Sequence, residues 1–174
     1  PEVPCTKIYK MKDEYAGFTT SAKINFVRIK LRQSEADWTF IASIDDIAWL
    51  TNLRANDIPC NPVFVAYVFI SLEKAVLFVD KRRFDDSLFQ EISKDYEIRP
   101  YESVYDDIAS LTRRGVGFYS PEKISYAFAP AINKKRNLRG CDITTNLKAR
   151  KNPVELEGMR RAHFLDGVAF ANFM

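Results

Sequence analysis

Apolar residues recur along this chain with two different periods. Ile24, Val27 and Leu31 fall on one helical face, Lys23, Arg28, Lys30 and Arg32 lie elsewhere, and Thr19, Thr20 and Ser21 stand ahead as caps. This predicts a helix over 20–34. Residues 38–43 read as a short apolar strand. Residues 44–52 read as a helix with Asp45 and Asp46 in its first turn, where the macrodipole favours carboxylates. Pro59 and Pro62 keep the next loop extended. Residues 64–71 and 75–80 are strands joined by Leu72-Glu73-Lys74, an antiparallel hairpin.

Further on, Phe84, Leu88 and Ile92 are spaced for a helix over 83–95, followed by a strand at 97–100. Val104, Ile108 and Leu111 mark a helix over 103–114, with Gly115 as the left-handed residue beyond its end. Residues 116–120 form a strand, Ser120-Pro121-Glu122 opens a helix through Tyr126 and Phe128, and 138–143 is the last strand. Residues 144–151 read as a connector, and 1–17, with Pro1, Pro4 and Gly17, as a lead-in from upstream. The alternation predicts one α/β domain over 18–151, a mixed β-sheet with helices on both faces.

The chain closes on a long helix over 152–174, with Pro153 in its first turn and Glu155 and Glu157 near its positive end. One apolar stripe runs through Leu156, Met159, His163, Gly167, Phe170 and Met174, a second through Ala162, Leu165, Ala169 and Phe173. A helix apolar on two sides expects two neighbours. The preceding domain is expected to cover one, and chain beyond residue 174 the other. Pro1 in place of an initiating Met also reads as a piece of something longer.

At 174 residues, 47% hydrophobic and 28% charged, the composition is that of a folded domain rather than a disordered segment. The net charge of +3 comes from 26 basic and 23 acidic residues; the basic ones stand in short clusters, among them Lys81-Arg82-Arg83 and Lys134-Lys135-Arg136, that are interleaved with acidic residues and read as solvated surface. No basic stripe follows a phosphate backbone, so nucleic acid is not an expected partner. No apolar run reaches the roughly 18 residues of a membrane span, and no signal peptide is visible. Cys5, Cys60 and Cys141 are too scattered for a metal pair or a disulfide framework. They read as small half-buried hydrophobes in a reducing, cytoplasmic compartment.

Candidate chemistry is sparse. Asp45-Asp46, Asp85-Asp86 and Asp106-Asp107 are adjacent on helices and diverge by about 100°, which suits helix starts and solvated faces. His163 is the one histidine, without companion ligands in its neighbourhood. No nucleophile triad, phosphate-binding glycine loop or zinc-binding helix motif is present. The loop after the 44–52 helix differs. Trp49, Asn52, Arg54 and Asn61 combine an amphipathic ring, amides and a planar cation where α/β sheets tend to hold ligands. Arg54 either meets a ligand there or pairs with Asp57 to brace the loop.

The run Asp45-Asp46-Ile47-Ala48-Trp49-Leu50, Asn52-Leu53-Arg54-Ala55-Asn56-Asp57-Ile58 and Asn61-Pro62-Val63-Phe64 resembles the middle domain of three-domain Xaa-Pro aminopeptidases, the aminopeptidase P family. The departure is Ala55, where the family often has glycine. Asn152-Pro153-Val154-Glu155-Leu156-Glu157-Gly158-Met159-Arg160-Arg161-Ala162-His163 resembles the first helix of that family's catalytic domain. The resemblance implies a creatinase N-terminal fold for the middle domain. It further implies a downstream pita-bread catalytic domain holding two divalent metals, usually manganese, through two Asp, one His and two Glu. There a metal-bridging hydroxide attacks the carbonyl before proline. By that resemblance this chain carries no catalytic or metal-binding residue and is inactive alone. It walls the cleft for a proline-containing peptide, with Trp49, Asn52, Arg54 and Asn61 as cleft-facing candidates, in a cytoplasmic homodimer. Two alternatives share the architecture: a non-catalytic peptide or histone binder, like the large subunit of the FACT histone chaperone, and a related creatinase or prolidase.

Overall fold

The computed structural model describes residues 3–132 and 137–174. In chain order the elements open with β1 (Tyr9–Lys10), α1 (Asp13–Ala16), α2 (Thr20–Gln33), β2 (Trp38–Ile41), α3 (Ile44–Thr51) and β3 (Leu53–Arg54). They continue with β4 (Tyr67–Ser71), β5 (Ala75–Phe78), α4 (Asp86–Ile92), β6 (Glu97–Arg99) and α5 (Val104–Leu111). The last are β7 (Gly117–Tyr119), β8 (Asn137–Arg139), α6 (Ile143–Ala149) and α7 (Pro153–Phe173).

Six strands form one sheet in the order β6-β5-β4-β2-β7-β8. The hairpin pair β4–β5 and the pair β2–β4 are antiparallel. The pairs β5–β6, β2–β7 and β7–β8 are parallel, so the sheet is mixed. Alternation along the central strands fills two cores. Val68, Ile70 and Leu77 join Ile24, Val27 and Leu31 of α2 and Ile47 and Leu50 of α3 on one face. Trp38, Phe40, Phe69 and Phe78 join Val104 and Ile108 of α5 and Phe128 on the other. Both faces of β2, β4 and β5 are thus covered by helices, which is why these strands read as nearly unbroken apolar runs.

Several elements depart from the sequence expectation. Residues 144–151 are not a connector, since most belong to α6. Ile143 and Thr144 are buried there, and Leu147 packs against the α2–α3 core. The helix expected through Tyr126 and Phe128 is two separate 3-10 turns, Pro121–Lys123 and Tyr126–Phe128. The helix expected over 83–95 is shorter, because the Asp85 side chain caps it by accepting from the Leu88 amide. Strand β4 starts three residues later than residue 64 and β8 ends at Arg139. Helix α5 stops at Leu111, so Gly115 is not its closing residue. Gly115, at φ +81°, instead brings the chain under Asp37, whose carboxylate accepts from the Val116 amide at 2.6 Å. Cys5, Cys60 and Cys141 are exposed, not half-buried. The basic cluster at 134–136 lies outside the described residues.

Residues 8–17 pack onto the domain. Ile8 is buried, β1 pairs antiparallel with β3, and the Met11 amide donates to Asn52 O at 2.8 Å. Helix α1 ends on Gly17 at φ +72°. Beside it sits Asn152, the cap of α7: its Nδ2 donates to Ala16 O at 2.9 Å and its Oδ1 accepts from the Glu155 amide at 2.9 Å. The Glu155 carboxylate returns a bond to the Asn152 amide, completing a capping box. Beyond this root α7 runs free. From Leu156 to Met174 every residue is exposed, so the domain covers neither apolar stripe, where one was expected to be covered.

Any Cβ at Gly17 would collide with the Asn152 side chain and would force a left-handed backbone on an L-residue. Gly17→Ala is therefore expected to destabilise the chain by roughly 1–2 kcal/mol, a fall of about 2–8 °C in thermal midpoint. An unchanged midpoint would show that the α1–α7 junction is slack.

Candidate functional site

Helix α3 and the loop after it gather the residues that the sequence singles out. The helix ends on Asn52 in the left-handed conformation, φ +57° and ψ 19°, which asparagine tolerates better than most residues. The turn sends Leu53 and Arg54 into pairing with Tyr9 and Lys10. Ala55 is fully buried and has no positive φ, so the missing glycine costs the loop no backbone strain. Cys60, at φ +61°, turns the loop tip, where Ile58, Pro59 and Cys60 are exposed.

The four candidates occupy different surroundings. Trp49 is nearly buried, and its indole Nε1 donates to Glu155 Oε1 at 2.9 Å, tying α3 to α7. Asn52 is fully buried: Oδ1 accepts from Lys23 Nζ at 2.7 Å and Nδ2 donates to Phe18 O at 2.8 Å. Arg54 is half-buried, donating to the Ala48 and Leu53 carbonyls, with Met11 Sδ 3.7 Å from Nη2. Asn61 is half-exposed, with Nδ2 3.5 Å from Asp45 Oδ1.

The brace between Arg54 and Asp57 does not form. Asp57 pairs instead with Arg83 at 2.6 Å, and both side chains are fully out of solvent. Asp57 Oδ1 also accepts from Thr6 Oγ1, Oδ2 accepts from the Val65 amide at 2.8 Å, and Arg83 Nε donates to Thr6 O at 2.8 Å. Sequence reading placed Arg83 in a solvated basic cluster. Nothing local marks it otherwise, since its partner lies 26 residues away.

Lys23 was also misplaced. It is fully buried, donating to Trp49 O at 2.8 Å and Asn52 Oδ1 at 2.7 Å, with its ammonium 4.5 Å from the centre of the Trp49 ring. Buried Thr20, Lys23, Val27 and Leu31 follow helical spacing, a signal that was available in the sequence. Burial pushes its pKa down to about 8, Arg54 adds to the fall, and Glu155 and Asp13 oppose it.

A second polar cluster lies at the carboxyl ends of the parallel strands β2, β7 and β8. Asp46 was expected on a solvated helix start but is fully buried, 2.7 Å from Lys148 and 3.2 Å from Lys123, and accepts from Thr145 Oγ1 at 2.6 Å. Burial alone would raise its pKa; bonding from Lys148 and Thr145 and the charges of Lys148 and Lys123 bring it below the ordinary aspartate value. Asp142 accepts from the Ser120 amide at 3.0 Å, and burial holds its pKa up, with Asp46 nearby adding to the rise. The lysines occupy these carboxylates, so the pair clamps α6 and the 121–123 turn onto α3. Among the described residues no three His, Cys, Asp or Glu side chains converge to hold a metal, and no metal-dependent step is assigned to them. His163 is exposed on α7, its Nδ1 3.0 Å from Met159 O.

Lys23 gives the site a pH signature. Its native pKa near 8 lies below the ordinary 10.5, so the unfolded chain binds more protons between those values. Stability should therefore rise as pH climbs from 8. Urea unfolding at pH 8 and 9.5 is expected to show wild type gaining about 1–2 kcal/mol relative to Lys23→Met. Parallel pH profiles for the two proteins would mean that the amine is not desolvated.

Comparison with known proteins supplies the context. Residues 1–155 match the creatinase/prolidase N-terminal domain family. Xaa-Pro aminopeptidase 1 of Dictyostelium discoideum is 32% identical over 174 residues, which cover 100% of this chain and 28% of that protein. A probable Xaa-Pro aminopeptidase P of Metarhizium robertsii is 33% identical over 188 residues, covering 99% of this chain and 30% of the relative. The crystal structure of X-prolyl aminopeptidase from Caenorhabditis elegans, described as a cytosolic enzyme with a di-nuclear active site, superimposes with a TM-score of 0.93. It is 29% identical and matched over 99% of this chain and 29% of that one. A Xaa-Pro dipeptidase from Bacillus anthracis shares the fold at a TM-score of 0.58 and 16% identity. This chain thus spans somewhat under a third of the relatives it matches.

Proposed function

The chain belongs to the creatinase/prolidase N-terminal domain family, and from that premise we propose that it is the non-catalytic middle domain of a metal-dependent Xaa-Pro aminopeptidase. The whole protein would remove the N-terminal residue that precedes proline in a peptide. The observation that carries this reading is similarity along the whole of this chain to Xaa-Pro aminopeptidases, at 32% identity in the Dictyostelium relative and a TM-score of 0.93 in the C. elegans one. Two divalent metals, manganese in the first instance, would be held by the part of the relatives' length that this chain does not span. A cytoplasmic setting fits the cytosolic C. elegans relative, and no described helix is long and apolar enough to cross a membrane. A homodimeric parent belongs to the same proposal.

Within that protein, residues 152–174 would form the first helix of the catalytic domain, its two apolar stripes buried by chain beyond residue 174. The exposed loop tip at 58–60 would help wall the substrate cleft, with the half-exposed Asn61 and the half-buried Arg54 the candidates nearest the surface. Trp49 and Asn52 would act behind them, holding α7 and the loop in place through Glu155 and Lys23.

Hydrolysis of an Xaa-Pro peptide with manganese, assayed on this chain and on the full-length protein, is the direct test. Activity is expected only in the full-length protein. A full-length protein that neither hydrolyses the peptide nor binds metal would move the reading to a non-catalytic binder of the same architecture. The α7 stripes add a second check. This chain alone should enhance the fluorescence of an apolar dye, and the full-length protein should do so far less. Equal enhancement would mean that α7 stays uncovered.

A further inference from the structure

The N-terminal segment passes over the loop after α3 and bonds to it at several points. Thr6 stands at the centre. Its Oγ1 donates to Asp57 Oδ1 at 2.5 Å and accepts from the Asn56 amide at 3.2 Å, while its carbonyl accepts from Arg83 Nε at 2.8 Å. Beyond this knot Ile8 N donates to Arg83 O at 2.9 Å, Tyr9 and Lys10 pair with Arg54 and Leu53, and Met11 N donates to Asn52 O. Beneath it lies the Arg83–Asp57 pair, whose other carboxylate oxygen holds the far limb of the loop through the Val65 amide. The loop between these anchors has little support of its own. It keeps the Asp57–Val63 backbone bond at 3.3 Å, the short Ile58–Asn61 bridge and a long 3.5 Å contact from Asn61 Nδ2 to Asp45 Oδ1 on α3, and its tip is exposed.

We propose that Thr6, acting through the buried Arg83–Asp57 pair, positions the 53–61 loop, so that the N-terminal segment fixes where the loop tip stands. The physical reason is the cost of moving the pair. A buried carboxylate and guanidinium cannot separate without leaving an uncompensated charge, so a segment bonded to both is held to one register. Thr6 does not touch substrate; it is a positioning residue. Its consequence for catalysis rests on the reading that the loop walls an Xaa-Pro peptide cleft.

The test compares wild type, Thr6→Ala and Thr6→Ser in the full-length protein with two readouts. Thr6→Ala removes the hydroxyl but leaves the ion pair and the Thr6 carbonyl bond, so the fold is retained. Hydrogen exchange at the Asp57, Val63 and Val65 amides, none of which bonds to Thr6, is expected to rise roughly tenfold in Thr6→Ala and to return in Thr6→Ser. Unchanged exchange at those amides overturns the proposal. In Xaa-Pro hydrolysis with manganese, KM should rise about fivefold in Thr6→Ala with kcat within twofold, and Thr6→Ser should restore it. A loss confined to kcat, or no restoration by serine, counts against positioning. Absence of Xaa-Pro hydrolysis in the wild-type protein would sink the cleft reading alone, and the exchange data would still decide whether the segment holds the loop.

Discussion

Burying a charge obliges a protein to supply it with partners, and the Arg83–Asp57 pair places that obligation at the centre of this fold. Removing an arginine and a carboxylate from water costs several kcal/mol per ion, which their attraction offsets only when the remaining donors and acceptors are also satisfied. Here the satisfaction comes from three distant stretches of chain. Thr6 supplies a hydroxyl and a carbonyl, Val65 an amide, and the pair itself spans the loop and the 3-10 turn before α4. The same pair recruits the N-terminal segment into the domain and closes the loop after α3. A hydrophobic contact in that position would hold the segments together but would not fix their register, because apolar packing is non-directional.

Two other buried charges repeat the pattern around the same helix. Lys23 reaches up from α2 to the carboxyl end of α3, and Asp46 at its amino end is met by Lys148 from α6 and by Lys123. Helix α3 is therefore pinned at both ends by ions as well as packed along its length by Ile47 and Leu50. Trp49 extends this rigidity outward, since its ring faces Lys23 while its N–H binds Glu155 in the first turn of α7. The direction in which α7 leaves the domain is set by side chains that are themselves held, which is the condition for a projecting helix to have a defined orientation.

What could be read in the sequence follows how local the deciding interaction is. Asn152, Pro153 and Glu155 announce α7 because a capping box is complete within four residues. The apolar runs of β4 and β5 on either side of Leu72-Glu73-Lys74 are likewise local and point to the hairpin. The resemblance at 44–71 carried the fold family beyond what periodicity alone gives. Helix α6 was missed because Thr144, Thr145 and Asn146 have loop-like preferences, and only burial of Ile143 and Thr144 against other elements overrides them. Asp57 was matched with Arg54, three residues away, whereas its partner is Arg83; nothing in either local sequence distinguishes a buried arginine from its solvated neighbours Lys81 and Arg82. Lys23 is the instructive miss, because its spacing with Thr20 and Val27 put it on the buried stripe and its charge argued it off.

The long helix α7 draws the two halves of this account together. Its first turn is well determined, by a capping box, a proline, the Glu155–Trp49 bond and the Asn152–Ala16 bond. Its remainder has no tertiary support, with Phe164 70%, Phe170 64% and Phe173 87% exposed. Most helical stability in proteins comes from a packed apolar face, and beyond its first turn α7 has none. Two uncovered apolar stripes on a firmly rooted helix support the proposal that other chain packs against α7 on both sides. On that proposal the domain's part is positional: its buried ions would fix the orientation of the helix and of the loop from which a catalytic cleft would be assembled.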